Sequence, residues 1–162
     1  MKWRLIVRIC VRGILIEEGK LLVIHRIKND LEYYVIPGGG VEDNEMMIQA
    51  LKREILEEVG INIKVLSDNP IYTYQDSETN HSFYLISYAD GVYDSRLGPE
   101  FFSKEYESHG EYKIGFVSLS DIALGRINLV PIPIKDELVR DLKKFHDISF
   151  LSSESFRGDV LE

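Results

Sequence analysis

Cysteine is nearly absent: Cys10 is the one thiol among 162 residues. A single thiol cannot close an intrachain disulfide, so a hydrophobic core must hold the fold, and the composition suits a reducing, cytoplasmic setting. Cys10 lies among apolar residues in "LIVRICVRGILI", where a small core residue is expected. Basic charge is also scarce. Against 27 Asp and Glu stand 19 Lys and Arg, giving a net charge of −8 and a pI near 5.1. That is not the positive footprint that grips a phosphate backbone, so duplex nucleic acid is excluded as a partner. No apolar run approaches the roughly 18 residues of a membrane span, which excludes a transmembrane role for such a segment. "MKWRLIVRIC" starts basic, but Arg4, Arg8 and Arg12 interrupt it and no small-residue cleavage site follows, so a signal peptide is not expected. Repeats and low-complexity tracts are lacking as well.

What is present is enough for one ordinary core: 44% hydrophobic and 28% charged residues, read as a single domain over residues 1–147 with a polar tail at 148–162. Apolar residues at Trp3, Leu5, Val7, Ile9 and Val11 alternate with Arg4, Arg8 and Arg12, the pattern of a half-buried strand continuing through "GILI". "EEGK" turns it, with Gly19 supplying positive φ, and "LLVIHR" returns as a hairpin. "YYVI" is a third strand, stopped by Pro37 and three glycines. Met47, Ile48, Leu51, Ile55 and Val59 share one face of a helix over residues 44–59, capped by Asp43 or Asn44 and ended by Gly60. Further strands fall at 61–66, 70–75, 81–89 and 111–119. A short helix begins at "SLSDIALG", and an amphipathic one spans 133–146 with Pro133 in its first turn. The long polar and aromatic connection between 90 and 110 carries Tyr93, Phe101, Phe102 and Tyr106, and is expected to wall a substrate site or make a homodimer contact.

Within the first helix, "LKREILEEVGI" puts Glu54, Glu57 and Glu58 at i, i+3 and i+4. At 100° per residue they share an arc of about 100° beside the apolar stripe, and like charges at that spacing repel. Ala50, one turn before Glu54, is expected to leave open space there. Clustered carboxylates are hard oxygen donors, which suits Mg²⁺ or Mn²⁺ bridging to phosphate oxygens.

The surrounding spacing is more specific. Gly39, five residues, Glu45, seven residues, then Arg53-Glu54-Ile55-x-Glu57-Glu58-x-Gly60-Ile61 fill every fixed position of a 23-residue pattern that resembles the Nudix hydrolase box. "LLVIHR" and "YYVIPGGGVE" before the box, and "FVSLSDI" after it, look like that family's flanking elements. The resemblance implies an α/β class, an α/β/α sandwich around a mixed β-sheet. It also implies a hydrolase that cleaves a pyrophosphate bond in a nucleoside diphosphate linked to another moiety, with Mg²⁺ or Mn²⁺ as cofactor and a small nucleotide-type molecule as substrate. By position in the box, Glu57 and Glu58 are the expected metal ligands. Glu54 either binds through water or orients the nucleophile as base, and the Gly38 carbonyl resembles a further ligand.

Arg53 points beside Glu57 and is expected to hold the carboxylates in place as an ion pair, with Glu45 structural at the helix start. Arg26, Arg8 and Arg12 are candidate phosphate contacts, and Gly39 lets backbone approach closely. Glu111 is the expected extra carboxylate from beyond the box, and Tyr33, Tyr34, Tyr72 and Tyr74 are the tyrosines available to stack a base. The proline that marks the ADP-ribose type, about 16 residues past the box, is replaced by Ser77, and other subfamily markers are missing too, so the leaving group stays open. A noncatalytic Nudix-fold sensor of a nucleotide or ADP-ribose is the alternative.

Overall fold

The computed structural model of the protein describes residues 7–93 and 110–145. Strand β1 (Arg8–Glu17) turns through Glu18 and Gly19, at φ 50° and 74°, into β2 (Lys20–Lys28). Two successive positive-φ residues match the twist of a tight hairpin. Strand β3 (Leu31–Val35) pairs back on β2, and Pro37 ends the run. The glycines form a three-residue strand, β4 (Gly38–Gly40), that returns to β1. Helix α1 (Met47–Val59) follows, then β5 (Ile61–Val65), β6 (Tyr72–Gln75), β7 (Thr79–Gly91), β8 (Glu111–Ser118), α2 (Leu119–Ala123), β9 (Leu129–Val130) and α3 (Ile132–Arg140).

The strands make one sheet in the order β5-β7-β1-β2-β3-β9, with β4 on β1, β6 on β7 and β8 on β2. Pairs β1–β7 and β3–β9 are parallel and the others antiparallel, so the sheet is mixed as expected. Strand β1 is the seam: residues Arg8 to Leu15 lie along β7, whereas Ile16 and Glu17 pair with β2.

Two cores sandwich this sheet. Leu51, Ile55 and Val59 of α1 pack on Val11, Leu15 and Ile61, while Ile122 of α2 and Ile134 and Leu138 of α3 cover Ile14, Leu21 and Phe83 on the other face. Each such aliphatic side chain contributes about 2 kcal/mol by leaving water. The three layers are thus α1, sheet, and α2 with α3, the expected α/β/α sandwich. Ile9, on the apolar side of the strand pattern, is 44% exposed instead.

Helix α1 begins later than the sequence suggested. Asn44 takes a left-handed φ of 63°, and neither it nor Asp43 caps the helix. Instead the Met46 N–H donates to Gln49 Oε1 at 3.0 Å. The segment before it is held in a turn of its own, with Glu42 N–H donating to Glu45 Oε2 at 2.9 Å and Glu45 bound to Arg53. Gly60 ends the helix at φ 85° as expected. Ala50 is fully buried in the α1 core, so it opens no space beside Glu54. Strand β9, only two residues, has too few positions to show a period. Helix α3 ends at Arg140, with Asp141 at its C-cap accepting a hydrogen bond from the Tyr72 hydroxyl at 2.8 Å; 142–145 form a further helical turn. Most of the 90–110 connection, with Phe101, Phe102 and Tyr106, lies outside the described residues, as does the 148–162 tail. Tyr93 packs on Tyr88 and Phe116 in the α1 core.

Candidate active site

Register decides what faces what. Across the sheet, Cys10 lies between Gly40 and His81, and Arg12 between Gly38 and Phe83. On the other half of the sheet, Tyr33, Arg26 and Tyr112 stand in one row across β3, β2 and β8, with Val35 and Ile24 in the next. These faces, the glycines of β4 and Glu54 and Glu58 of α1 enclose a cavity of about 570 Å³. Such a volume suits a nucleotide-sized ligand.

The glycines make the approach possible. Gly38 has φ 153°, and a Cβ there would lie 2.0 Å from the Val11 carbonyl oxygen. A Cβ on Gly39 would lie 2.3 Å from the Glu54 carboxyl carbon, so any side chain there would expel that carboxylate. The Gly38 N–H donates to Glu58 Oε2 at 3.0 Å.

Arg53 organises the helix side. Its Nε and Nη2 donate to the two Glu45 oxygens at 2.7 and 2.9 Å, its Nη1 to Glu54 at 2.9 Å and Glu57 at 3.4 Å, and its Nη2 also to the Gly40 carbonyl at 2.9 Å. This bidentate pairing holds the Glu45 carboxyl down at about 2 and raises the guanidinium further above its ordinary value. Glu58 lies in the opposite condition. Burial pushes its carboxyl up to about 7, and the Glu54 charge adds to the rise, against the Gly38 N–H, Arg12 and a hydrogen bond from the Tyr112 hydroxyl.

Buried Glu58 and Glu54 line the cavity together with Gly38, and two carboxylates are hard oxygen donors that fit a divalent cation. Among the described residues, however, no three His, Cys, Asp or Glu side chains already converge on one point. Glu57 lies against Arg53 and does not line the cavity. Glu54 and Glu58 are the pair in place, and Glu57 would have to swing from Arg53 to join them.

Arg8, Arg12 and Arg26 all line the cavity. The Arg12 Nη1 donates to the Ile36 carbonyl at 2.9 Å, Arg26 lies over the Tyr112 ring at 5.1 Å, and Arg8 reaches over Gly40. Glu111 does not join them. It alternates with Tyr112 along β8, so its side chain points away from the cavity and lies 3.6 Å from Lys113. Of the four tyrosines, only Tyr33 lines the cavity; Tyr34 stacks on His25, and Tyr72 and Tyr74 pack in the α2–α3 core. Cys10 is buried as expected, though its place is the cavity floor.

Tyr112 and the corner of Asp76, Thr79 and His81 also line the cavity, though no local sequence pattern points there. That corner reaches the cavity only through the parallel β1–β7 register, which brings Thr79 beside Arg8 and His81 beside Cys10. Asp76 Oδ1 accepts the backbone N–H groups of Glu78 and Thr79 at 3.0 and 2.8 Å, and its Oδ2 pairs with His81 Nε2 at 3.2 Å. These bonds keep the Asp76 carboxyl below its usual range. Burial holds His81 below the usual imidazole range, so it stays neutral near pH 7.

A family model described as the NUDIX domain matches residues 6–138. The chain belongs to this family. Among relatives, it is 39% identical over 57 residues to an 8-oxo-dGTP diphosphatase of Proteus vulgaris, 34% of this chain and 51% of that protein. It is 37% identical over 71 residues to an ADP-ribose pyrophosphatase of Methanocaldococcus jannaschii, 43% of this chain and 42% of that one. The chain thus spans about half the length of the curated relatives it matches. The fold also matches a NUDIX hydrolase structure from Nitrosomonas europaea with TM-score 0.62 at 20% identity, covering 85% of this chain and 89% of that one. Nudix hydrolases generally use divalent metal ions.

Proposed function

We propose that this NUDIX protein is a divalent-metal-dependent hydrolase that cleaves a pyrophosphate bond in a nucleoside diphosphate derivative. The observation that carries the reading is the facing of two groups across one cavity: Glu54 and Glu58 on α1, and the guanidiniums of Arg8, Arg12 and Arg26 on the sheet. A diphosphate needs both, cations to hold it and carboxylates to hold the metal that screens it.

Glu58, with Glu54 and the Gly38 carbonyl, would hold Mg²⁺ or Mn²⁺, and Glu57 would join on release from Arg53. When bound, the cation supplies charge neutralisation at the phosphate oxygens and favours attack by water. Arg12 and Arg26 hold the nonbridging oxygens, and Arg53 keeps Glu54 aimed at the cavity, where its carboxylate can orient the attacking water or take its proton. Tyr112 steadies Glu58 through its hydroxyl. The names of the matched relatives, a diphosphatase and a pyrophosphatase, support the bond class and differ in the leaving group.

The test is release of nucleotide and phosphate products from nucleoside triphosphates, dinucleoside polyphosphates and nucleotide sugars, with and without Mg²⁺. Product formation that requires the cation and disappears in Glu58→Gln is the expected result. Tight nucleotide binding with no turnover in any metal would select a sensor instead.

A further inference from the structure

The cavity has two unlike ends. One is the row of Tyr33, Arg26 and Tyr112, two rings and a planar guanidinium in register across three strands. The other is the β6–β7 corner with Asp76, Thr79 and His81; along β1 the position beside Thr79 lies about 13 Å from Arg12 and that beside His81 about 7 Å, at 3.3 Å per residue. The Tyr33 ring suits a nucleobase, which stacks on aromatic faces, while Arg26 beside it serves the phosphates. The corner suits something else.

A turn aspartate needs only one oxygen for its two backbone N–H groups. Here Oδ1 does that work, and His81 separately pins Oδ2. The carboxylate is therefore fixed in both oxygens while its side chain remains 42% exposed and lines the cavity. An ionised carboxylate only accepts hydrogen bonds, so it repels a terminal phosphate and receives hydroxyl groups. Arg8, beside Thr79, and Arg12 are the cations whose charge reaches His81, but the Arg8 guanidinium lies over Gly40, and the Asp76 carboxylate is engaged by His81 and two backbone N–H groups.

We infer that the Asp76–His81 pair is a specificity-determining element that receives the hydroxyls of a sugar-like group, making the substrate class a nucleoside diphosphate joined to a polyhydroxylated moiety rather than a nucleoside triphosphate. This rests on the proposed nucleotide-binding role of the cavity. The base lies at the Tyr33 end, the diphosphate between the arginines and Glu58, and the second moiety at the corner.

The experiment compares ADP-glucose, UDP-glucose and ATP as ligands of the full chain, by turnover with Mg²⁺ and by equilibrium binding without it. The parent should prefer ADP-glucose to ATP. Asp76→Asn, which can still accept the two backbone N–H groups, should lower the ADP-glucose to ATP ratio by about tenfold or more, as expected for losing hydrogen bonds to a charged group. His81→Phe keeps the ring packing, removes the pin on Oδ2, and should lower the same ratio by a smaller factor; it serves if the asparagine variant does not fold. A ratio unchanged in both variants overturns the inference and leaves the hydrolase reading standing. A loss shared by ADP-glucose and ATP but spared in UDP-glucose also overturns it, since Asp76 would then read the adenine. Binding that follows the ratio without turnover upholds the pair and removes the hydrolase; no binding of any ligand removes both.

Discussion

Arg53 on the helix and Arg12 and Arg26 on the sheet are guanidiniums around one cavity, yet they are tied down in different ways. Arg53 joins Glu45, Glu54, Glu57 and the Gly40 carbonyl in one network. Arg12 donates to the Ile36 carbonyl and lies near Glu58, and Arg26 lies on the ring of Tyr112. On the helix wall, therefore, removing one group disorients several carboxylates at once. On the sheet wall Arg12 and Arg26 stand on separate strands, so under the proposed reading a change at either should alter its own contact with substrate. The helix wall should govern the rate and its metal, the sheet wall the choice of ligand.

The largest break in that comparison is Glu58→Gln. The amide can still accept the Gly38 N–H, so the fold should survive, while the lost carboxylate should cut turnover by about a thousandfold. The metal-free variant should melt no lower than the metal-free parent, because a buried carboxylate has been replaced by a neutral group. Steady-state rates with calorimetric melting check both, and a near-normal rate at saturating Mg²⁺ would remove Glu58 from the metal site. Next comes Arg53→Lys. An ammonium cannot reproduce the fork on Glu45 while also holding Glu54 and Gly40, so metal affinity should fall by about 10- to 100-fold, read from the Mg²⁺ concentration for half-maximal rate.

The difference between the walls also explains what could be read from the chain. The helix wall comes from residues 38 to 58, where fixed spacing along one helix and one turn places Arg53 beside Glu54 and Glu57 without knowledge of the fold. Asn44 failed as a cap for a local reason that spacing hides: Glu45 is drawn to Arg53, and the helix starts only after it. The sheet wall joins residues 8 to 112, and its membership depends on strand register. One residue decides a face, so Tyr112 enters the cavity while Glu111, the expected carboxylate, points away. His81 reaches Cys10 only because β7 runs parallel to β1, a pairing that no local pattern announces.

A moderate effect is expected on the sheet wall. Tyr33→Leu and Arg26→Ala should each raise KM by about tenfold, equal to about 1.4 kcal/mol, with kcat changed much less. The ranking of bases should flatten in Tyr33→Leu, since a leucine offers no ring face. If kcat falls as far as in Arg53→Lys, the two walls do not divide the work as described.

The smallest effect concerns acid stability and isolates the Glu45–Arg53 pair. The folded-state Glu45 carboxyl is held at about 2 against an ordinary value of 4.5, chiefly by the hydrogen bonds from Arg53. A group whose folded pKa is depressed contributes stability that is fully present above its unfolded pKa and is lost as pH falls through the folded one. Glu45 should therefore support the fold at pH 6 and lose that contribution between pH 4.5 and about 2. Glu45→Gln removes the titration while leaving an oxygen for Arg53, so the variant should melt below the parent at pH 6, with the gap narrowing as pH falls to 3. Thermal unfolding across that range checks the sign. A gap that stays constant with pH would mean that Glu45 holds the helix entry by shape alone, and that the network on the helix wall rests on Glu54 and the Gly40 carbonyl.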